Sequence, residues 1–134
     1  MKKLRRLIIM LMIPFCTFGF TACQGGGNRD TLGYEQITQD KAKEIMDSGA
    51  EYILIDARTE SEFADGHIEG AILIPEYEIA DKAEQELPDK DALILVYCRS
   101  GRRSKIASEE LVNLGYTNVK EFGGIIDWQY ESVK

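Results

Sequence analysis

The chain has 134 residues, 44% of them hydrophobic, which is room for one modest domain with a packed core. Its formal net charge is −7, but residues 1–22 hold four basic residues (Lys2, Lys3, Arg5 and Arg6) and no acid, so the remainder sets 12 basic residues against 23 acidic ones, a net of −11. So acidic a body excludes general nucleic-acid binding, which needs a basic surface.

The N-terminus reads as an address. A basic head, Met1 to Arg6, precedes the apolar run Leu7 to Phe20, which contains Pro14 and Gly19. That run is shorter than the roughly 20 residues a membrane-spanning helix needs, and basic head plus short apolar middle is the pattern of a secretory signal. Phe20-Thr21-Ala22-Cys23 ends it. Two small residues before Cys resemble a bacterial lipobox, although Phe20 stands where Leu is usual. The resemblance implies cleavage at Cys23, a diacylglycerol on its thiol, and export to the periplasmic or extracellular face of a membrane. Gln24-Gly25-Gly26-Gly27-Asn28 then reads as a flexible tether. The expected organisation is a signal peptide over 1–22, a lipidated Cys and tether over 23–33, and a folded domain over 34–134.

Within that domain, short strand-like and helix-like segments alternate. Tyr34–Ile37 is a weak strand. Thr38 is placed to cap a helix that runs through Ile45 and Met46 and stops at Gly49. Residues 52–56 are an apolar, β-branched strand. Thr59 and Glu62 have the spacing of a capping box. Ala71–Ile74 form a strand ended by Pro75, and a helix over 77–87 follows. Leu93–Tyr97 is the clearest strand. Residues 102–114 form an amphipathic helix with Ile106, Ala107, Leu111 and Leu114 turned inward and Gly115 as its stop. A last strand, Val119–Phe122, leads through Gly123-Gly124 into a short helix holding Trp128. Continuous apolar strands alternating with helices predict an α/β fold, a mostly parallel sheet covered on both faces.

One stretch points to chemistry: Leu93-Ile-Leu-Val-Tyr-Cys98-Arg99-Ser100-Gly101-Arg102-Arg103-Ser104. A buried strand ends, a Cys follows, a Gly permits a tight turn and a helix begins. Parallel sheets bind ligands beyond the carboxyl ends of their strands, where Cys98 falls. Backbone N–H groups of residues 99–104 can surround its sulfur, and the helix N-terminus adds a positive dipole end; both favour thiolate over thiol. Residues 98–105 carry Arg99, Arg102, Arg103 and Lys105 and no acid. A positive spot on an acidic protein suits a small anionic substrate. Cys98 is also the only cysteine of the predicted domain, the others being Cys16 and Cys23, so neither a disulfide within that domain nor a four-cysteine zinc site is open to it.

The same loop resembles the active-site loop of single-domain rhodaneses. Upstream, Leu54-Ile55-Asp56-Ala57-Arg58, Glu60, Glu62-Phe63 and Gly66-His67-Ile68-Glu69-Gly70-Ala71 resemble that family's first signature; downstream, Gly123-Gly124 and Trp128 resemble its C-terminal element. The resemblance covers residues 34–134 and implies a rhodanese-like fold with a five-stranded sheet. It also implies sulfur transfer: four residues separate Cys98 from Arg103, whereas related phosphatases and arsenate reductases place five there.

The implied roles are these. Cys98 is the nucleophile, accepting sulfur from thiosulfate or a similar anion as a persulfide and passing it to a thiol or cyanide. Arg99, Ser100, Gly101, Arg102, Arg103 and Ser104 form the substrate-binding loop, with Arg103 and Ser104 shaping loop and helix start. Asp56 and Arg58 support it from the neighbouring strand. His67, the only histidine, takes a structural turn position and not a catalytic one. No cofactor or metal is implied, and the chain is expected to act as a monomer held at a membrane through Cys23. Two other readings stand beside this one: a non-catalytic module that docks or carries sulfur, and an oxyanion reductase or phosphatase, which the loop length disfavours.

Overall fold

The computed structural model describes residues 32–134. The signal peptide, Cys16, Cys23 and most of the expected tether lie outside the described residues. Five strands, β1 (Glu35–Gln36), β2 (Ile53–Asp56), β3 (Ile72–Leu73), β4 (Ile94–Cys98) and β5 (Val119–Gly124), form one sheet in the order β1-β5-β4-β2-β3. All four strand pairings are parallel. The helices are α1 (Gln39–Asp47), α2 (Glu60–Asp65), α3 (Ile79–Glu86) and α4 (Arg102–Asn113). Short 3₁₀ turns cover Glu76–Glu78 and Ile125–Asp127. This is the expected α/β architecture.

Alternation along the strands sends side chains to two separate cores. Ile55, Val96 and Cys98 join Ile79, Ala83, Ala107 and Leu111 of α3 and α4 on one face. Leu54, Leu95 and Tyr97 join Ala42, Phe122 and Ile68 on the other, with Ile45, Met46 and Trp128 packed around them. β4, the central strand, is buried at all five residues, as a strand covered on both faces must be. β2 connects to β3 on one side of it and β4 to β5 on the other, so the carboxyl ends of β2 and β4 lie at the switch in strand order where such sheets place their ligands.

Local signals set the helix starts. Thr38 accepts the Lys41 N–H at 3.1 Å. Thr59 and Glu62 close a full capping box on α2. Two expectations are corrected. Ile106 is 38% exposed, and the buried stripe of α4 is Ser104, Ala107, Ser108 and Leu111. Small residues at helical spacing let the helix lie close to the sheet, and the hydroxyls bond locally: Ser108 Oγ donates to the Ser104 carbonyl at 2.8 Å. The helix after Gly124 is only the 3₁₀ turn, with Trp128 as its cap and not inside it.

Candidate active site

Cys98 ends β4 with 1% of its surface exposed. The chain then turns at Gly101, whose φ of +102° is open to glycine and strained for other residues, and enters α4. The turn brings the Gly101 N–H to 3.0 Å from Cys98 Sγ. The sulfur thus sits over the N-terminus of α4 with a backbone donor aimed at it, an arrangement that stabilises negative charge on sulfur.

A close approach from β5 fixes the loop from behind. The β4–β5 register shifts between Val96 and Cys98, so that Cys98 pairs with Gly124. A Cβ on Gly124 would fall 2.0 Å from the Arg99 carbonyl oxygen, so no other residue fits there without moving the loop. That same carbonyl accepts the Ile126 N–H at 3.2 Å.

The predicted loop residues separate into two groups. Arg99, Ser100 and Arg102 are exposed, as is Lys105 beside them. Arg103 turns back to α2 and donates through both terminal nitrogens to Glu62, at 2.7 and 2.8 Å. This fork-to-carboxylate pair raises the Arg103 pKa, and it is the leading cause that draws the Glu62 carboxyl down to about 2. Arg103 therefore ties the first turn of α4 to the first turn of α2. Ser104 is fully buried behind Cys98, and the Cys98 thiol donates to its Oγ at 3.4 Å.

At the neighbouring strand end, Asp56 is fully buried and Arg58 is 6% exposed. Asp56 accepts the Arg58 backbone N–H, its Nε and its Nη2, the last at 2.7 Å. Arg58 Nη2 also donates to the Gly66 carbonyl at 2.6 Å. Burial works against the charged guanidinium, but the Asp56 carboxylate outweighs it and the Arg58 pKa is raised. The Tyr97 hydroxyl completes the set: it donates to Asp56 at 2.7 Å and accepts the Ile68 N–H at 3.0 Å. Burial, and next the Asp56 charge, push the Tyr97 pKa far up. His67 stacks on Phe63 with ring centroids 3.7 Å apart, its Nδ1 lies 2.9 Å from the Phe63 carbonyl, and its backbone bridges to Val133. None of these contacts is with Cys98.

Sequence reasoning missed Glu121. Its position opposite Val96 in the β4–β5 register turns it to the α4 face. It is 3% exposed, accepts the Ser104 hydroxyl at 2.6 Å and the Gly123 N–H at 2.8 Å. The available signal was a carboxylate in a strand between Val119 and Phe122, two residues before Gly-Gly.

A family model described as the rhodanese-like domain matches residues 38–131, which takes in both strand ends, the Cys98 loop and the Gly-Gly end of β5. The chain belongs to this family. It is 39% identical over 80 residues to the thiosulfate sulfurtransferase PspE of Escherichia coli, covering 60% of this chain and 77% of that one. It is 35% identical over 98 residues to the thiosulfate sulfurtransferase GlpE of Haemophilus influenzae, covering 72% and 90%. A solved structure of an E. coli rhodanese with anions is similar at a TM-score of 0.59 and 37% identity, over 63% of this chain and 99% of that one. The rhodanese-like domain described here is thus of the sulfurtransferase type.

Proposed function

We propose that the chain moves sulfane sulfur from thiosulfate, or a similar small anion, to a thiol or cyanide through a persulfide on Cys98. The observation that carries this reading is the position of Cys98 Sγ: at a strand end, 3.0 Å from the Gly101 N–H, in a loop whose Arg99, Arg102 and Lys105 are exposed. The cations draw in the anionic donor. The Cys98 thiolate attacks its outer sulfur, the S–S bond of thiosulfate breaks, and sulfite leaves with the bonding pair. Cys98 Sγ is then bonded to the transferred sulfur, and the negative charge lies on that terminal atom. An acceptor thiolate or cyanide attacks the terminal sulfur, and Cys98 leaves as thiolate. Two displacements through a covalent intermediate give ping-pong kinetics. Asp56, Arg58 and Tyr97 take no part in bond making; they hold the end of β2 against β4. Arg103, bound to Glu62, sets the loop's shape instead of meeting the donor.

The test is intact mass of the protein after incubation with thiosulfate. One added sulfur atom is expected, and none in Cys98→Ser. An adduct that survives Cys98→Ser overturns the assignment. An adduct that neither cyanide nor a thiol removes identifies a docking or storage module in place of an enzyme.

The same proposal places the domain outside the cytoplasm, anchored by lipid on Cys23, on the support of the basic head, apolar run and small-small-Cys sequence. Cys23→Ala is expected to release the protein from the membrane fraction, and an unchanged fraction overturns the anchor.

A further inference from the structure

A thiol must lose its proton before it can attack sulfur, and the proposed sulfurtransferase needs a place for that proton. The only histidine is engaged with Phe63 and Val133. A continuous hydrogen-bonded path does leave Cys98 in the other direction, into the protein. The thiol donates to Ser104 Oγ at 3.4 Å, and Ser104 Oγ lies 2.6 Å from Glu121 Oε1. Ser104 has one hydrogen and three acceptors within reach, the others being the Gly101 carbonyl at 3.0 Å and the Gly123 carbonyl at 3.5 Å. The carboxylate, nearest and charged, takes it. The serine oxygen is then left to accept from Cys98. Glu121, Ser104 and Cys98 are all buried, so the path is shielded from bulk water.

We propose that Glu121 is a positioning residue that holds the Cys98 proton, passed through Ser104, while the sulfur is a nucleophile or a persulfide. The Cys98 proton moves to Ser104 Oγ as the Ser104 proton moves to Glu121 Oε1. Thiol plus carboxylate becomes thiolate plus carboxylic acid, with no net change in charge. Ser104 now donates to sulfur and accepts from Glu121. The proton returns by the same path when Cys98 is released at the end of the second displacement. This deepens the sulfur-transfer reading and rests on it for its purpose, but the proton path exists in the resting protein and can be tested without any sulfur donor.

The charges around the pair are steady, which makes the test readable. Arg103 of α4 faces Cys98, with its pKa raised by Glu62 of α2, whose own lies near 2. Tyr34, before β1, faces Glu121, and burial raises its pKa above its usual 10. Asp56 at the end of β2 acts on Arg103 and is paired with Arg58.

The experiment is the rate of iodoacetamide alkylation of the full chain from about pH 4 to about pH 9, the span of an ordinary carboxyl and thiol. Rates are read on the peptide containing Cys98, so that Cys16 and Cys23 do not contribute. Expected for the unaltered chain is a two-step profile: a fall below the thiol range to a shelf, then a second fall in the carboxyl range. The shelf stands about tenfold or more above a single titration curve, since a coupling of one pK unit is a factor of ten. Glu121→Gln keeps a carbonyl oxygen for Ser104 and Gly123 but cannot take the proton; one inflection without a shelf is expected. Ser104→Ala breaks the path, and the shelf is lost there as well. A single inflection in the unaltered chain, or a shelf that persists in Glu121→Gln, overturns the proposal. The first of these needs no variant. Persulfide formation is scored separately by mass, so failure of the proton path and failure of sulfur transfer give different results.

Discussion

At the carboxyl end of β2, Asp56 and Arg58 are satisfied in the protein interior by each other and by Tyr97 of the neighbouring β4. At the carboxyl end of the adjacent β4, Arg99, Arg102 and Lys105 stand in solvent, with no acid bonded to them among the described residues. Both clusters are built from charged residues at one edge of one sheet. The difference lies in what their charges are for. A buried ion pair completed by a hydroxyl and a backbone carbonyl has no capacity left for a ligand, so its product is geometry. Exposed cations in the loop of a buried sulfur leave their field free to act on something that arrives. Breaking the first cluster should therefore be felt in stability, and breaking the second in substrate affinity.

The largest effect is expected from Asp56→Ala. It leaves the Arg58 guanidinium buried without its carboxylate and the Tyr97 hydroxyl without its acceptor. Removing one partner of a buried pair costs about 3–5 kcal/mol, because the orphaned charge stays desolvated. Urea unfolding should show a drop of that size. A loss under about 1 kcal/mol, the range of exposed pairs, would mean that the cluster is not the brace its geometry describes.

How far the two clusters were legible in sequence follows the same division. Asp56 and Arg58 were assigned to support by the family resemblance alone, and their bonds are local: Asp56 accepts from a backbone N–H and a side chain two residues on. The Thr59–Glu62 capping box and the Thr38 cap were readable, since they close within three residues. Cys98 and its glycine turn were readable from strand, turn and helix in sequence. Glu121, and its contact with Ser104, were not. Their meeting depends on the β4–β5 register that sets Glu121 opposite Val96, and on how closely α4 lies on the sheet. Ile106 was assigned inward on hydrophobicity, but close approach favours small side chains, and Ser104 and Ser108 took the buried stripe. Pairing of Arg103 with Glu62, 41 residues away, was invisible for the same reason.

Arg99→Ala and Arg102→Ala test the second cluster. Each removes a charge in high dielectric, where a charge pair at contact contributes about 1 kcal/mol. KM for thiosulfate is expected to rise about fivefold in each, with the effect shrinking as salt is added. Unfolding free energy should change by no more than about 0.5 kcal/mol, the usual bound for surface substitutions. A fall in stability without a rise in KM would reverse the roles given to the two clusters.

Arg103 is the cation that belongs to both descriptions: it lies in the positive loop, yet it is paired. Its partner Glu62 has a folded-state pKa of about 2, below the ordinary 4.5, chiefly through the Arg103 hydrogen bonds. A carboxyl whose pKa falls on folding lends stability that is fully present above its unfolded value and is lost as pH drops through its folded one. The contribution should therefore be complete above about pH 4.5 and disappear on acidification toward about pH 2. Glu62→Gln should flatten that part of the stability-versus-pH curve while costing about 1 kcal/mol at neutral pH, since the pair is partly open to solvent. It should also lower the rate of sulfur transfer more than it lowers affinity for the donor, because Arg103 sets the loop's geometry in place of binding the anion. An acid limb unchanged by Glu62→Gln would show that other carboxyls carry the acid sensitivity. A rise in KM alone would return Arg103 to the group of residues that meet the substrate.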